Sequence, residues 1–329
     1  MALNRLPISL LSTTENVANN NVITWDSTTQ KVTVSEVQLG VASLATAVGS
    51  SFGYASGGQP SSNAIDRFPF STNSNSSDAG DLTIGRTSLA GQSSTISGYA
   101  SGGFPIRNVI DKFSFAAGGN ATDVGDLSIA KQSGVGQSGT ESGYTSGGFT
   151  PTITDSIDKF PFSTDANATD VGDLTQARVS MAGQSSNISG YSSGGPGPVN
   201  TVDKFPFSTD ANATDVGDLT QARNEPVGQN SYAYGYSSGG NTPTRVNTID
   251  RFPFAADVNA TDVADLGVLR GSGSGQSSQQ SGYIAGGFNP LLSPFNSNSI
   301  EKFPFATNAN ATDVGDLRRS TSLLAGQQI

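Results

Sequence analysis

Three sets of residues in this 329-residue chain could do chemistry, and each set recurs along it. Asp66 and Asp81 return as Asp111 and Asp126, Asp158 and Asp173, Asp203 and Asp218, Asp250 and Asp265, and Glu301 and Asp316, always 15 positions apart. Two carboxylates can hydrolyse a glycosidic bond unaided by other residue types. A basic residue follows five of these pairs: Arg86, Lys131, Arg178, Arg223 and Arg270. The segment Thr164–Leu174 sets Asp165, Asn167, Thr169 and Asp173 at positions one, three, five and nine of a possible oxygen-ligand loop, the donors a hard cation takes. The same segment carries an Asn-Ala-Thr glycosylation sequon, repeated at Asn120, Asn167, Asn212, Asn259 and Asn310. Other chemistry is absent at the start. With no Cys and no His there is no thiol nucleophile, imidazole base, disulfide or ordinary zinc site.

A catalytic group is normally needed once, so groups that occur five or six times read first as architecture. The Asp and Arg positions are expected to cap turns and to pair at junctions between units, where exposed pairs are worth ~0–1 kcal/mol each. The possible calcium loop competes with a plain turn rich in Asp and Asn. Its first position is Asn73 in the first unit, Gly118 in the second and Asn308 in the sixth, and its fifth is never acidic, which favours the turn. The sequons are read as turns too. No catalytic residue, metal site or cofactor is assigned.

The elements that hold these residues follow from the repeat. Gly-Tyr strands centre on Tyr54, Tyr99, Tyr144, Tyr191, Tyr236 and Tyr283, and successive Gly-Asp-Leu aspartates lie 45, 47, 45, 47 and 51 residues apart. That is the period of propeller blades. Each unit reads as four short strands bounded by Gly, Pro, Asn and Asp: a small-residue strand (Ser88–Ser94), the Gly-Tyr strand, an aromatic strand such as Ser156–Phe162, and Asn167–Leu174. No stretch has a helical period. Arg86–Gly103, an Arg, a small-residue strand and an aromatic strand closed by Gly-Gly, resembles the kelch repeat. The match spans residues 41–329 and departs from the kelch pattern where Phe68 and Leu82 stand in place of its Tyr and Trp. The resemblance implies an all-β, six-bladed kelch-like β-propeller. In such a ring the small-residue strand lies innermost, and the Phe pair and the Leu of Gly-Asp-Leu fill the space between blades. Pro between two Phe residues belongs at a strand end or on an outer strand. Ring closure has two candidates, Thr321–Ile329 and Ala42–Ser50; the first keeps the Ala-Gly-Gln core and is favoured.

Residues 1–40 lack the repeat. Val22–Asp26 and Lys31–Glu36 alternate as a short hairpin, which is marginal alone and so is expected to attach to a larger assembly or another copy. The start does not read as a signal peptide, and no apolar run reaches a membrane span of ~20 residues. A net charge of −10 argues against nucleic acid. The Asn/Ser/Thr-rich, Cys-free style, with this leader, is similar to bacteriophage fibre and other virion surface proteins.

Spacing then separates scaffold from variation. All length differences fall between Gly-Gly and the following Ile or Val, where the loops have 6, 6, 8, 6, 8 and 12 residues. Insertions confined to one loop map to one face of a repeat protein, often its binding face. The candidate contact residues are Phe104, Arg107, Phe149, Arg245, Phe288, Leu291 and Phe295; the competing reading folds them back over the blades. The leading expectation is a non-enzymatic virion protein, homo-oligomeric in the particle, that binds other virion proteins through residues 1–40 and a host-surface glycan or protein through the loops. A free-standing glycan-binding lectin comes second. A glycoside hydrolase comes third, because every acidic pair repeats.

Overall fold

A computed structural model describes residues 21–26, 31–36, 51–197, 199–293 and 295–328. The chain divides into two compact units, Met1–Leu44 and Ala45–Ile329. In the first, Asn21–Asp26 pairs antiparallel with Lys31–Glu36, in a register running from Asn21 opposite Glu36 to Asp26 opposite Lys31.

The second unit is a six-bladed β-propeller: six antiparallel four-stranded sheets, with no helix among the described residues. Alternating burial along short strands, broken by Gly and Asx turns, leaves a helix nothing to build on. Each blade runs outward from its innermost strand: Ala90–Ser93, Val135–Ser138, Ala182–Ser185, Val227–Asn230, Ser274–Ser277 and Ala325–Gln328. The last of these closes the ring. Ala325–Gln328 pairs with Phe52–Ser56 and completes the blade of Ser62–Pro69 and Ser77–Arg86, as the Ala-Gly-Gln core suggested. The competing strand, Ala42–Ser50, lies outside the described residues. Counting from this closing blade as blade 1, the blades follow in chain order.

The crowding expected at the axis is severe. A Cβ placed on Gly136 would lie 2.0 Å from the Gly91 carbonyl oxygen, and one on Gly91 would lie 2.3 Å from that of Gly326. Only glycine lets six backbones converge this closely. One residue on, six buried glutamines stitch the ring: Gln92, Gln137, Gln184, Gln229, Gln276 and Gln327 each donate Nε2–H to the tyrosine carbonyl of the next blade, at 2.8–3.3 Å. A buried amide without such a partner would cost about 1–3 kcal/mol.

Apolar packing joins blades in the same way. Leu127, Tyr99 and Ile110 of blade 2 cluster with Phe160 and Ala168 of blade 3. The Pro of Phe-Pro-Phe ends the third strand, as Pro161 does opposite Ser142, where the missing amide breaks no ladder.

The charged pairs require a correction. They do lie at blade junctions, but they are buried, not exposed. Arg86–Asp111, Lys131–Asp158, Arg178–Asp203, Arg223–Asp250 and Arg270–Glu301 are 2.5–3.3 Å apart, with side chains 0–4% exposed. Burial pulls the Arg86, Arg223, Arg270 and Lys131 cations below their ordinary pKa values, against the nearby carboxylates. Each arginine also holds carbonyls of the next blade; Arg86 donates to Gly102 and Val109 at 2.9 and 3.1 Å. The closing junction splits the task, because Thr321 occupies the cation's place. There Arg318 pairs with Asp66 at 2.6 Å, while Arg319 reaches the Gly57 and Ala64 carbonyls at 2.9 and 3.3 Å.

The Asx-rich segment has a divided role. Asp123 closes its own turn by accepting from Gly125 N–H, at 3.2 Å. The Asn of Asn-Ala-Thr, replaced by Asn75 of Asn-Ser-Ser in blade 1, instead bridges blades: Asn167 Oδ1 accepts from Asp126 N–H at 3.0 Å, and the same bond recurs at all six junctions, from Asn120 to Asp81 through Asn75 to Asp316. Asp165, meanwhile, pairs with Lys112 at 2.9 Å. Two of the four oxygens proposed for one cation, on Asp165 and Asn167, are therefore drawn toward a neighbouring blade, and no group of three or more acidic side chains suited to a metal occurs among the described residues.

Candidate functional site: the loop face

Antiparallel pairing puts every second-to-third-strand loop at one end of its blade, so the unequal loops share one face. The loops from each outermost strand into the next innermost strand lie at that same end. Backbone bridges tie the two sets together: Thr87 with Phe104, Gln132 with Phe149, Asn224 with Asn241, and Gly271 with Phe288.

Around the axis, this second set of loops forms a closed ring. Ser133 N–H donates to Ser88 C=O, Ser180 to Ser133, Glu225 to Ser180, Ser272 to Glu225, Leu323 to Ser272 and Ser88 to Leu323, at 2.6–3.0 Å. All six residues have φ between +51° and +58°, a conformation that non-glycine residues rarely adopt and that only an over-determined setting maintains. The ring supplies that setting by satisfying every amide in the cycle. Beneath it is a cavity of about 150 Å³ running down to the six axial glycines. Small-molecule pockets usually measure ~300–1,000 Å³, so a ligand of that size must lie across the loops.

Symmetry breaks most between blades 5 and 6. Glu225 stands where blades 2, 3, 4 and 6 place serine in the ring. Its carboxylate accepts from Ser272 Oγ at 2.7 Å and pairs with Arg245 at 2.5 Å. Arg245 also lies over the Phe288 ring, 4.9 Å from its centroid, and Phe288 packs on Phe295 at 5.5 Å. Phe295 and Leu291 are 55% and 76% exposed, so an apolar tip projects beyond a fixed ion pair.

Of the seven residues expected from the sequence, Arg245, Phe288 and Phe295 meet here, and Leu291 lies in the same loop. Phe104 and Arg107 belong to blade 2 and Phe149 to blade 3, across the ring from that cluster. Phe104 is half exposed, Arg107 is exposed at the start of its strand, and Phe149 is partly covered against Gln132. Glu225 and Ser272 were missed. The signal for Glu225 was present in the repeat itself, as one acidic residue in a column of four serines and a leucine. No known protein family matches this chain, and no curated protein matches it.

Proposed function

We propose that this protein is a non-enzymatic structural component of a virus particle, of the bacteriophage tail-fibre or surface type. In this reading, residues 1–40 attach it to other particle proteins and a kelch-like propeller presents its loop face to a host-surface glycan or a partner protein. One observation carries the recognition half: the unequal loops, the exposed aromatics and the Glu225–Arg245 pair lie on a single face, on a scaffold that is otherwise repetitive. The attachment half rests on the unrepeated leader, whose two-stranded hairpin has little stability of its own.

A non-enzymatic reading is supported by where the carboxylates go. The repeated Asp66-type acids are engaged in junction pairs, and Glu225 is held by Arg245 and Ser272. A free-standing lectin with several like sites is less well supported, because the loops differ from blade to blade. Removing residues 1–40 should leave a folded propeller that no longer joins particles; incorporation of that truncation at the wild-type level would refute attachment. Phe295→Ser with Leu291→Ser should abolish adsorption to host cells without lowering the melting temperature. Unchanged adsorption would refute the loop face.

A further inference from the structure

The opposite face also breaks the repeat, in blade 3. There, the turns from innermost to second strand begin with Ser94, Ser186, Ser231 and Ser278 in blades 2, 4, 5 and 6. Each hydroxyl bonds the backbone three residues on: Ser94 Oγ accepts from Ser97 N–H at 3.0 Å and donates to its carbonyl at 3.2 Å, and the other three repeat this. Blade 3 has Gly139 there, and its turn keeps only the backbone bond to Ser142, at 2.9 Å. Between blades 3 and 4, beside this missing side chain, lies a pocket of about 450 Å³, within the size range of small-molecule sites.

Its walls are chemically mixed. The Tyr144 and Phe207 rings stack 4.8 Å apart and line one side. Glu141 lines another, where the equivalent turn residues are Ile96, Ile188, Ala233 and Gln280. It is exposed and has no ion-pair partner among the described residues. Lys159 also lines the pocket but is neutralised by Asp210 at 2.8 Å. Thr140 and Ser189 add hydroxyls. Burial first, and then the charges of Asp210 and Glu141, push the Tyr144 phenol up to about 12, and its hydroxyl donates to the Phe207 carbonyl at 3.3 Å.

These walls select by elimination. Glu141 repels phosphates and other anions, while the paired Lys159 and Asp210 cancel each other. A cation would pair with Glu141 but leave the hydroxyls of Thr140 and Ser189 unused. The carboxylate and hydroxyls would be stripped of water by a wholly apolar guest. An uncharged polyol with one C–H face meets all of them: vicinal hydroxyls donate to the carboxylate and the C–H face covers an aromatic ring.

We infer that the blade 3–4 pocket binds a neutral pyranose, with its C–H face toward Phe207 and adjacent hydroxyls on Glu141. The site lies away from the loop face and stands or falls separately from it.

Saturation-transfer NMR tests this on the full chain, with methyl β-glucopyranoside, methyl β-galactopyranoside, methyl α-mannopyranoside and N-acetylglucosamine as probes at millimolar concentration. Gly139→Ser installs the residue that four other blades already carry, and its Cβ would lie 3.3 Å from the Phe207 ring, on the aromatic wall of the pocket. Glu141→Gln removes the charge. The expected result is transfer to at least one sugar in the wild type, with affinity falling about tenfold or more in each variant and melting temperatures unchanged. Transfer to none of the sugars, or equal transfer in Gly139→Ser, overturns the site. Binding of inorganic phosphate or butylammonium in place of sugar overturns the ligand class.

Discussion

The residues that look most chemical are here spent on holding blades together. Asp203 illustrates it: its carboxylate is 0% exposed, lies 2.5 Å from Arg178, and accepts from Thr175 N–H at 3.0 Å. Removing one partner of such a pair leaves a charge stranded out of water, so Asp203→Ala should cost ~3–5 kcal/mol in urea unfolding. Replacing both partners, as Arg178→Met with Asp203→Leu, should recover most of that loss, because desolvation then falls on neither side. The tyrosines are a second case. Burial raises the phenol pKa of Tyr54, Tyr99, Tyr144, Tyr191, Tyr236 and Tyr283. Above the unfolded value near 10 the unfolded chain releases protons that the native state keeps, so stability is full below that pH and falls as pH rises through the folded values. The slope is ~1.4 kcal/mol per pH unit for each tyrosine taking part. A melting temperature that does not fall between pH 10 and pH 12 would contradict this.

Among the elements, the innermost strands are the least tolerant. Gly136→Ala puts a methyl group 2.0 Å from a backbone oxygen that cannot move without shifting its blade. Soluble yield should collapse, whereas Gly139→Ser on a surface turn should express normally. The closing strand is the other vulnerable element. Four residues, Ala325–Gln328, complete blade 1 and supply Gln327, which donates to the Tyr99 carbonyl at 2.9 Å. A chain ending at Leu324 exposes the edge of Phe52–Ser56 and removes the Gln327 bond that ties blade 1 to blade 2. It should lose cooperative unfolding or associate through that edge, as read by calorimetry and light scattering.

For the assembled ring, the charge distribution decides behaviour toward other molecules. The outermost strand of every blade is a sheet edge, and each carries two aspartates, such as Asp123 and Asp126 in blade 2. Asp173 and Asp262 are raised above the ordinary aspartate value, by burial first and by neighbouring aspartates after it. A rim of like charge prevents strand-to-strand association between rings and leaves the two loop-bearing faces as the surfaces open to contact. Neutralising two neighbouring rims with Asp123→Asn, Asp126→Asn, Asp170→Asn and Asp173→Asn keeps the turn acceptors but removes the repulsion. Analytical ultracentrifugation should then detect more self-association than the wild type shows.

Much of this was legible in one dimension. Repetition at fixed spacing implied six equivalent sheets, and small residues implied the innermost strand, because both are properties of residues near each other in the chain. The unequal loops were legible too, since length variation is counted directly. What could not be read were partners brought together from different blades. Asn167 reads as a turn residue in its own segment, yet its oxygen serves Asp126, 41 residues earlier. The Asp–Arg pairs read as exposed because both residues are polar, and only the neighbouring blade's packing buries them. Arg245 and Phe288 lie in loops of blades 5 and 6, and the ring brings the guanidinium to 4.9 Å from the aromatic centroid. Local pattern constrains backbone conformation and which face of a strand is apolar. Contacts between blades depend on how sheets close around an axis, and that closure is settled by all six blades together.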